Sequence, residues 1–589
     1  MILPELHQIM LGFGFQFLAI RKRRLFSFFD RIDPDTSVYT KDYETSEGYF
    51  TVALMLSDEP HTILPKAQIL KRPEKIEHIL LAHINSGGYL CYVEEQEADW
   101  NPNNLQGLYK AIDEQVQKTL EISVASLQDT KVDQIEFEGE LVSYWKPEQI
   151  SYVLSDYQSL NGKEVYLTYN AHIDDLKGKE LVIYGADEKE IYQKWLRQRG
   201  LSQEFSKKYS SFVLKVRPDK LSGVKWPLND TVQLLQWLSQ VDHNAKAKLV
   251  QYLVENPSKH HLIFLDINKQ DTFGVLLELN LKAVQFNSYA NYKKAGKNGR
   301  QLDVKRASSV LMGKQAFLKF RRIAFEKADS EAILTRNRSK PEVGDLRSKR
   351  IALIGCGTVG GYTAELLIRS GAGMGLKSLD LYDADDFDPE NFSRHALSSS
   401  DFGKNKAIAL KAHLENSTHL VTNIQAYARK FELSVNRLKS YDIIIDSTGR
   451  APIAKRLAYL VRQLRHVKTP VIIHGFNDGN GLASKVFIDR LDGCYNCLCG
   501  NNVFYKNGND KRFENLIGLP EKKVSCGNTY TPYDAAVSIM TAALIQEAAL
   551  SLLENNLDWN YKEHLFLGGR TKKTTKISKQ NFCDICNDA

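Results

Sequence analysis

Four of the eight cysteines form two Cys-x-x-Cys pairs late in the sequence, Cys494 with Cys497 and Cys583 with Cys586. Each pair can present two sulfur atoms to one ion, and two pairs together complete the tetrahedral four-sulfur shell of a structural zinc site. A closed shell leaves no position for a substrate, so we expect Zn²⁺ here to stabilise the fold rather than to catalyse. Unrelated thiols and a redox motif are the alternative interpretations of this spacing.

A glycine-rich segment in the second half of the chain could bind the phosphates of a nucleotide. Gly355, Gly357 and Gly360 stand between an apolar run that predicts a strand and a stretch that predicts a helix. Glycines at such a junction let the backbone approach phosphate, and the helix N-terminus supplies amide donors. Asp383 ends the next predicted strand, where an acidic side chain can bind ribose hydroxyls. This pattern alone would also fit an NAD-dependent dehydrogenase.

The elements around these residues predict an α/β protein of several domains. A strand over 350–354, a helix over 359–369 and a strand over 378–382 form a βαβ pattern. Such alternation predicts a mostly parallel sheet with helices on both faces. Further strands are predicted over 49–56, 67–70, 180–184, 261–265 and 442–445, helices over 105–120 and 231–241, and a solvated loop over 292–306. The predicted domains are 1–125, 140–330 and 335–589.

Composition and charge exclude few functions. The net charge of +7 over 589 residues is mild, so it permits contact with ATP or nucleic acid but indicates neither. An apolar stretch at 9–20 precedes a basic cluster at 21–24, the reverse of the order in a signal peptide, and is too short to cross a bilayer. The apolar run at 535–553 carries Ser, Gln and Glu, which favours a core helix. We expect a soluble cytoplasmic protein.

The segment from Tyr382 to Lys406 resembles the signature of the ubiquitin-activating (ThiF/MoeB-like) superfamily, in which Asp-x-Asp is followed by Asn-x-x-Arg and then by Gly and Lys. The resemblance implies a Rossmann-like adenylation domain that uses ATP, with Asp383 at the ribose. It places Asn391, Arg394 and Lys406 at the phosphates. A carboxylate attacks the α-phosphate and pyrophosphate leaves, so cations at these positions would lower the barrier. A solvated polar loop is the alternative.

The sequence departs from this superfamily in two places. Arg394 is followed by His395, where the family often has Gln. Gly449 stands where the sulfur-carrier activators have an Asp that helps to bind Mg²⁺, so Asp446 and Asp385 are the two candidate ligands of that ion. Upstream, Arg336-Asn337-Arg338 resembles an Arg-rich element that reaches the partner subunit's ATP site in dimeric relatives, although a surface charge cluster fits equally well.

Cys526 lies shortly before the apolar run at 535–553. In the ubiquitin-activating relatives, a cysteine at this point on a crossover loop attacks the acyl-adenylate and holds the carboxylate as a thioester. A thiolate is the nucleophile in such a step, and a loop near a helix start can lower the thiol pKa. The alternative is a small buried residue. Cys499 is the rival nucleophile, and Cys356 in the glycine loop is predicted to pack.

The N-terminal region resembles the ubiquitin-conjugating fold. A strand meander is followed by His83-Ile84-Asn85, by Leu90-Cys91 and by Trp100-Asn101-Pro102 leading into a helix. By this resemblance Cys91 is the acceptor thiol, which takes the acyl group from Cys526 and passes it to an amine. Proline is absent after His83, and Asn85 could be an oxyanion donor or a turn-forming residue. A core role for Cys91 is the alternative.

A single chain with both activities resembles the fused activating-conjugating enzymes of bacterial antiphage CBASS operons. That resemblance implies that the donor is the C-terminus of a CD-NTase, a cGAS-like nucleotidyltransferase, which is joined to amines of target proteins. It also implies a homodimer through the activating domain and a linker domain over 140–330, where we recognise no catalytic motif. We expect no membrane partner and no direct nucleic-acid partner.

Two other functions remain open from the sequence. The chain could be a ThiF/MoeB-type sulfur-carrier activator with an N-terminal appendage, or a nucleotide-binding adaptor without catalysis, which Gly449 keeps possible. An NAD-dependent dehydrogenase fits poorly, because no hydride-transfer site is recognisable and Asn391, Arg394 and Lys406 would have no use in one.

Overall fold

The structure is a computed structural model that describes residues 4–172, 179–284, 289–294, 297–302, 304–464, 469–503, 505–506, 509–516, 522–525, 528–554, 557–566 and 571–587. The chain divides into two compact units. The first comprises Met1–Ala171, Lys177–Asp187 and Gln203–Glu326, and the second comprises His172–Leu176, Glu188–Ser202 and Lys327–Ala589.

The helices are α1 (Pro4–Gly12), α2 (Ile20–Arg23), α3 (Leu105–Ala125), α4 (Thr130–Glu136), α5 (Leu141–Tyr144), α6 (Lys189–Arg199), α7 (Thr231–Val241), α8 (His243–Glu255), α9 (Val304–Leu311), α10 (Ser330–Thr335), α11 (Thr358–Arg369), α12 (Lys406–Ser417), α13 (Val435–Leu438), α14 (Ala451–Arg462), α15 (Tyr495–Cys499), α16 (Ala535–Ser551) and α17 (Asp584–Asn587).

The strands are β1 (Gln16–Phe17), β2 (Val38–Thr45), β3 (Gly48–Met55), β4 (Lys66–Lys71), β5 (Tyr89–Leu90), β6 (Gln149–Val153), β7 (Glu164–His172), β8 (Lys179–Gly185), β9 (Leu201–Val216), β10 (His260–Ile267), β11 (Phe273–Leu279), β12 (Tyr289–Lys294), β13 (Lys297–Leu302), β14 (Phe317–Lys327), β15 (Ile351–Ile354), β16 (Leu379–Tyr382), β17 (Ile424–Tyr427), β18 (Ile443–Asp446), β19 (Val471–Asp478), β20 (Ala483–Asp489), β21 (Tyr505–Lys506), β22 (Asn509–Asp510), β23 (Lys522–Ser525), β24 (Asn528–Tyr530) and β25 (Tyr561–Leu565).

The first unit contains a five-stranded antiparallel sheet in the order β1-β2-β3-β4-β5. Alternate residues of β3 face opposite sides: Phe50, Val52 and Leu54 pack with α1 and α3, whereas Ala53 and Met55 pack in a second cluster. Burial on both faces explains why this strand reads as a nearly continuous apolar run. Helix α3 begins at the N-cap Asn104, whose side chain accepts from the Gly107 N–H, and it buries a stripe that includes Leu108, Ile112 and Val116.

A closed barrel follows in the same unit, with strands in the order β10-β11-β14-β6-β8-β7-β9. Helices α7 and α8 pack against it, and their leucines join a large core with β10 and β11. The predicted helix over 231–241 and the strands over 180–184 and 261–265 are confirmed. The predicted loop over 292–306 is wrong, because β12 and β13 pair as an antiparallel hairpin and α9 begins at Val304. Strand pairing uses backbone hydrogen bonds, so a high lysine content alone did not exclude a strand.

The second unit contains a seven-stranded sheet in the order β17-β16-β15-β18-β19-β20-β25. The first five strands run parallel, and the last two pairings are antiparallel. The strand order reverses beside β15, since β16 and β17 lie on one side and β18 and β19 on the other. Open sheets of this type bind ligands at the carboxyl ends of the strands where the order reverses. The predicted α/β class and parallel Rossmann-like sheet are confirmed.

The apolar run at 535–553 forms α16, which packs on the sheet as a core helix. Within the described ranges, every helix is either too short or too polar to cross a membrane. The three predicted domain boundaries stay a prediction.

A buried ion pair joins α14 to β20. Arg462 is 2% exposed and Asp489 is fully buried, and the guanidinium donates to both carboxylate oxygens at 2.8 and 3.1 Å. Arg462 also donates to the carbonyl oxygen of Gly493, next to the first zinc-type cysteine pair. Removing one member of a buried pair leaves an uncompensated charge, which is costly.

We expect Arg462→Ala to lower the free energy of unfolding by about 3–5 kcal/mol, because Asp489 loses its only ion-pair partner among the described residues. Differential scanning calorimetry of the full chain would measure this. Arg456→Ala, on the exposed face of the same helix, should change stability by no more than about 0.5 kcal/mol. Equal losses of stability in the two variants would contradict a stabilising role for the buried pair of Arg462 and Asp489.

Candidate functional site

The glycine loop joins β15 to α11 at the point where the strand order reverses. Gly355 has a φ of 89°, which favours glycine. A Cβ at Gly360 would lie 1.9 Å from the carbonyl oxygen of Gly355, so only glycine fits there. Gly357 is the N-cap of α11, and a Cβ built on it would meet nothing within 4 Å. The loop therefore presents open backbone at a helix N-terminus, as phosphate binding requires.

Asp383 follows β16 and is tied to this loop. Its Oδ2 accepts from the Cys356 N–H at 2.7 Å, and its Oδ1 accepts from the Asp385 N–H at 2.9 Å. The structure thus brings Asp383 and the glycine loop together, as the sequence predicted. Its proposed contact with ribose stays a prediction.

Lys406 is positioned by its neighbour Asn405. Asn405 caps α12 by accepting from the Ala407 N–H, and its amide donates to the carbonyl oxygens of Asp383 and Asp385. Lys406 therefore begins α12 beside Asp385, with 3.9 Å between Lys406 Nζ and Asp385 Oδ2. Only 14% of the Lys406 side chain is exposed, whereas 77% of the Asp385 side chain is exposed.

Asn391 and Arg394 lie in a 3₁₀ turn over Pro389–Arg394. The Arg394 guanidinium donates to the carbonyl oxygen of Thr531 at 2.9 Å and stacks 4.6 Å from the centre of the Tyr533 ring. Tyr533 in turn hydrogen-bonds to Thr358 at the start of α11. Thr531 and Tyr533 were missed by the sequence analysis, because no local spacing links them to a turn so far upstream.

His395 occupies a position where the family often has Gln, and its ring is hydrogen-bonded to the glycine loop. Its Nε2 lies 2.8 Å from the Cys356 carbonyl oxygen, and its Nδ1 accepts from the Leu397 N–H at 3.1 Å. These partners assign the Nε2–H tautomer. Burial lowers the pKa of His395, so the ring is neutral at physiological pH. Burial also holds the pKa of the Cys356 thiol well above its ordinary value, which fits the packing role predicted for it.

Asp446, at the end of β18, is almost completely buried, with both carboxylate oxygens engaged. Oδ1 accepts from the N–H and the hydroxyl of Thr448, and Oδ2 lies 3.0 Å from His474 Nδ1 on the neighbouring strand. Gly449 has a φ of 64°, in the left-handed region that favours glycine, so an Asp at this position would be strained. Of the two candidate magnesium ligands, Asp385 is the accessible one.

The four cysteines of the Cys-x-x-Cys pairs meet in one buried cluster. Sulfur atoms of Cys494 and Cys583 lie 3.5 Å apart, and those of Cys497 and Cys586 lie 3.6 Å apart. All four ligand atoms lie within 4.8 Å of one another. Sulfurs bound tetrahedrally at about 2.3 Å from zinc would lie about 3.8 Å apart, so the cluster fits that ion.

Cys526 lies outside the described residues, between β23 and β24. Arg338 forms an ion pair within its own chain, 3.7 Å from Asp345 Oδ2, whereas Arg336 is exposed. Cys499 is partly buried, and burial raises the pKa of its thiol above the ordinary value. These surroundings make Cys499 a poor nucleophile.

Cys91 is an exposed thiol at the end of a tight hairpin in the first unit. The Cys91 N–H donates to the His83 carbonyl oxygen at 2.8 Å, and Ile84 pairs with Leu90. Asn85 Oδ1 accepts from the N–H groups of Gly87 and Tyr89, which is the geometry of a turn-forming Asn. Although the residue is exposed, partial desolvation of its sulfur is the main cause that raises the pKa of the Cys91 thiol, with Glu140 and Glu94 adding to it.

Comparison with known proteins agrees with this geometry. Residues 330–584 match the ThiF family, and residues 21–154 match prokaryotic E2 family B. The chain is therefore an E1/E2-like enzyme, with a ThiF adenylation domain that implies ATP and an E2-like domain in one polypeptide.

Close relatives identify the family more narrowly. The chain is 41% identical over 587 residues to the ATP-dependent ubiquitin transferase-like protein Cap2 of Vibrio cholerae, covering 99% of this chain and 100% of that protein. It is 40% identical over 590 residues to the Cap2 protein of Escherichia coli, covering 99% of each chain. The chain belongs to the Cap2 family, which confirms the predicted fused activating-conjugating enzyme. The match to the E. coli MccB structure with ATP covers 42% of this chain and 69% of that chain, at 19% identity and a TM-score of 0.30.

We expect the purified protein to contain one zinc ion per chain, and Cys497→Ser to lose it, because three sulfurs hold the ion less tightly than four. Elemental analysis by mass spectrometry, with calorimetry of the same samples, would measure the loss of metal and of stability. Cys499→Ser, two residues away and outside the cluster, should retain the zinc. Full metal content in Cys497→Ser would argue against a four-sulfur site.

Proposed function

We propose that this enzyme adenylates the C-terminal carboxylate of a CD-NTase, transfers the acyl group to Cys526 and then to Cys91, and joins it to amines of target proteins in antiphage defence. The observation that carries the proposal is the presence, in one chain of the Cap2 family, of a phosphate-type glycine loop with nearby cations and of an exposed thiol in an E2-like domain. The CD-NTase and the defence role rest on the resemblance to the fused enzymes of CBASS operons.

For the adenylation step, the proposed pocket is the edge of the sheet around the glycine loop. The loop amides and the N-terminus of α11 would hold phosphate oxygens, and Asp383 would bind the ribose. Lys406, Arg394 and Asn391 would stabilise the charge that builds on phosphate as pyrophosphate leaves. A magnesium ion would supply further charge neutralisation between phosphates. We assign its ligand to Asp385, because the oxygens of Asp446 are taken by Thr448 and His474.

The thioester steps keep the carboxylate activated until an amine accepts it. Cys526 would attack the acyl-adenylate and release AMP, and Cys91 would then attack the thioester. The exposure of Cys91 supports this role, because an acceptor thiol must meet first the thioester that donates the acyl group and then the amine that accepts it. We further propose a homodimer through the adenylation domain, domain boundaries at 1–125, 140–330 and 335–589, and a cytoplasmic location.

We expect Lys406→Ala to slow ATP–pyrophosphate exchange by about 10²-fold or more, because a cation aimed at the transferring phosphate is lost. Exchange would be measured with the CD-NTase from the same operon as the donor. Lys404→Ala is the matched control: this lysine precedes Lys406 by two residues, is 55% exposed and pairs with Asp401. Exchange that survives in Lys406→Ala at the level of Lys404→Ala would refute the assigned role.

The two thiols should be separable by trapping. Cys526→Ala should still exchange pyrophosphate but form no thioester, whereas Cys91→Ala should accumulate a thioester on Cys526 and form no conjugate. Non-reducing electrophoresis and intact-mass measurement would detect the species, and Cys499→Ala should behave as the wild type. Conjugates formed by Cys91→Ala would instead favour a sulfur-carrier activator, and no exchange by the wild type would favour a nucleotide-binding adaptor.

A further inference from the structure

The ring of His83 lies next to two glutamates, and the backbone of His83 is hydrogen-bonded to that of Cys91. His83 Nε2 lies 2.8 Å from Glu136 Oε2, and His83 Nδ1 lies 3.6 Å from Glu140 Oε1. His83 has a φ of 61°, in the left-handed region that residues other than glycine seldom adopt. Because the Cys91 N–H donates to the His83 carbonyl oxygen, this arrangement is anchored beside the acceptor thiol.

Glu140 is held in one position yet remains reachable from solvent. The Tyr144 hydroxyl donates to Glu140 Oε2 at 2.8 Å, and a third of the Glu140 side chain is exposed (33%). Burial opposes ionisation of Glu140, but the nearby His83 ring and the hydrogen bond from Tyr144 outweigh it and lower the pKa. Glu140 is therefore a carboxylate at neutral pH. Burial is the main cause that raises the pKa of the Cys91 thiol, and the negative charges of Glu140 and Glu94 raise it further, so the charge of Glu140 acts on the sulfur.

Amide formation at a thioester requires proton transfers that Cys91 cannot perform alone. An alkylamine arrives as an ammonium ion and loses a first proton to water. Its nitrogen then bonds to the thioester carbonyl carbon and becomes positively charged, so it must lose a second proton before the C–S bond breaks. The departing thiolate needs one proton. A carboxylate beside the sulfur can take the second proton from nitrogen and give it to sulfur, which balances the reaction.

We propose that Glu140 is a catalytic residue of amide formation at Cys91: its carboxylate attracts the ammonium group of the acceptor and then carries a proton from the nitrogen to the departing sulfur. His83 and Tyr144 act as positioning residues that hold the carboxylate. The acceptor is therefore a primary alkylamine of the lysine type, since a carboxylate attracts an ammonium ion more strongly than a neutral hydroxyl group. This inference rests on the proposed role of Cys91 as acceptor thiol.

The test separates this step from ATP chemistry and from the identity of the donor. A full-length Cys526→Ala protein is loaded at Cys91 by exchange with a short peptide that carries a C-terminal mercaptoethanesulfonate thioester. A Cys91→Ala version measures loading at other cysteines. The loaded protein is mixed with Nα-acetyl-lysine or with hydroxylamine, a nucleophile that is uncharged at neutral pH, and the loss of the acyl group is followed by intact mass.

We expect Glu140→Gln to slow discharge to Nα-acetyl-lysine by about 10²-fold, because both the charge and the proton carrier are lost. Discharge to hydroxylamine should change much less, because hydroxylamine arrives uncharged and its nitrogen, once bonded to the acyl carbon, is acidic enough to lose its proton to water. Glu138→Gln is the matched control, since Glu138 is only two residues away but pairs with Lys269 on the surface. Equal rates for Glu140→Gln and Glu138→Gln with Nα-acetyl-lysine, or equal slowing of both nucleophiles by Glu140→Gln, would overturn the inference.

Two further measurements keep the outcomes distinct. Glu140→Asp retains the negative charge on a side chain that is one methylene shorter. It should therefore give an intermediate rate with Nα-acetyl-lysine. If Glu140→Gln does not fold, Glu140→Asp takes its place in the comparison. Wild-type protein that forms no Cys91 thioester from ATP and the CD-NTase would count against the proposed function, whereas the rate comparison on chemically loaded protein would still decide the role of Glu140.

Discussion

The close approach of two backbone segments at Gly355 and Gly360 sets the geometry of the adenylation domain. A Cβ at Gly360 would collide with the Gly355 carbonyl oxygen, and that same oxygen accepts a hydrogen bond from the Ser447 hydroxyl at 2.7 Å. The end of β15, the start of α11 and the end of β18 are thereby fixed against one another. Asp383 adds β16 to this arrangement through the Cys356 N–H. Asn405, which precedes Lys406, donates to the carbonyl oxygen of Asp383, so the position of Lys406 also depends on this turn.

The described thiols fall into four chemical environments that differ in burial, and the partly buried Cys499 outside the cluster is one of them. Cys356 is enclosed and unreactive, while the four clustered cysteines have their sulfurs facing one another in a site suited to an ion. Cys91 alone among the described cysteines is exposed. Its raised pKa means that the thiol is protonated at neutral pH and must lose its proton when it attacks a thioester. If Glu140 carries a proton as proposed, the same carboxylate can serve when the acyl group arrives as well as when it leaves.

Short-range spacing predicted much of this structure, whereas contacts between distant segments were beyond its reach. The helix over 231–241 and the βαβ unit follow from apolar periodicity, and the Cys-x-x-Cys pairs predicted a cluster that the fold assembles. The engagement of Asp446 by His474 depends on a neighbouring parallel strand, which no local pattern specifies. The same holds for Glu140, which lies 57 positions after His83 in a segment without a recognisable motif.

Arg394 is assigned to the phosphates of ATP and also contacts the segment that follows the proposed nucleophile Cys526. Its guanidinium donates to the backbone of Thr531 and stacks on Tyr533, both in the segment that follows Cys526. If Arg394 also contacts phosphate as proposed, one side chain touches both the nucleotide and the chain beside the nucleophile. A guanidinium has five N–H donors in a rigid fork, so it can serve both partners at once. Lysine, with a single mobile ammonium group, could not maintain both contacts with the same geometry, which gives a physical reason for arginine at this position.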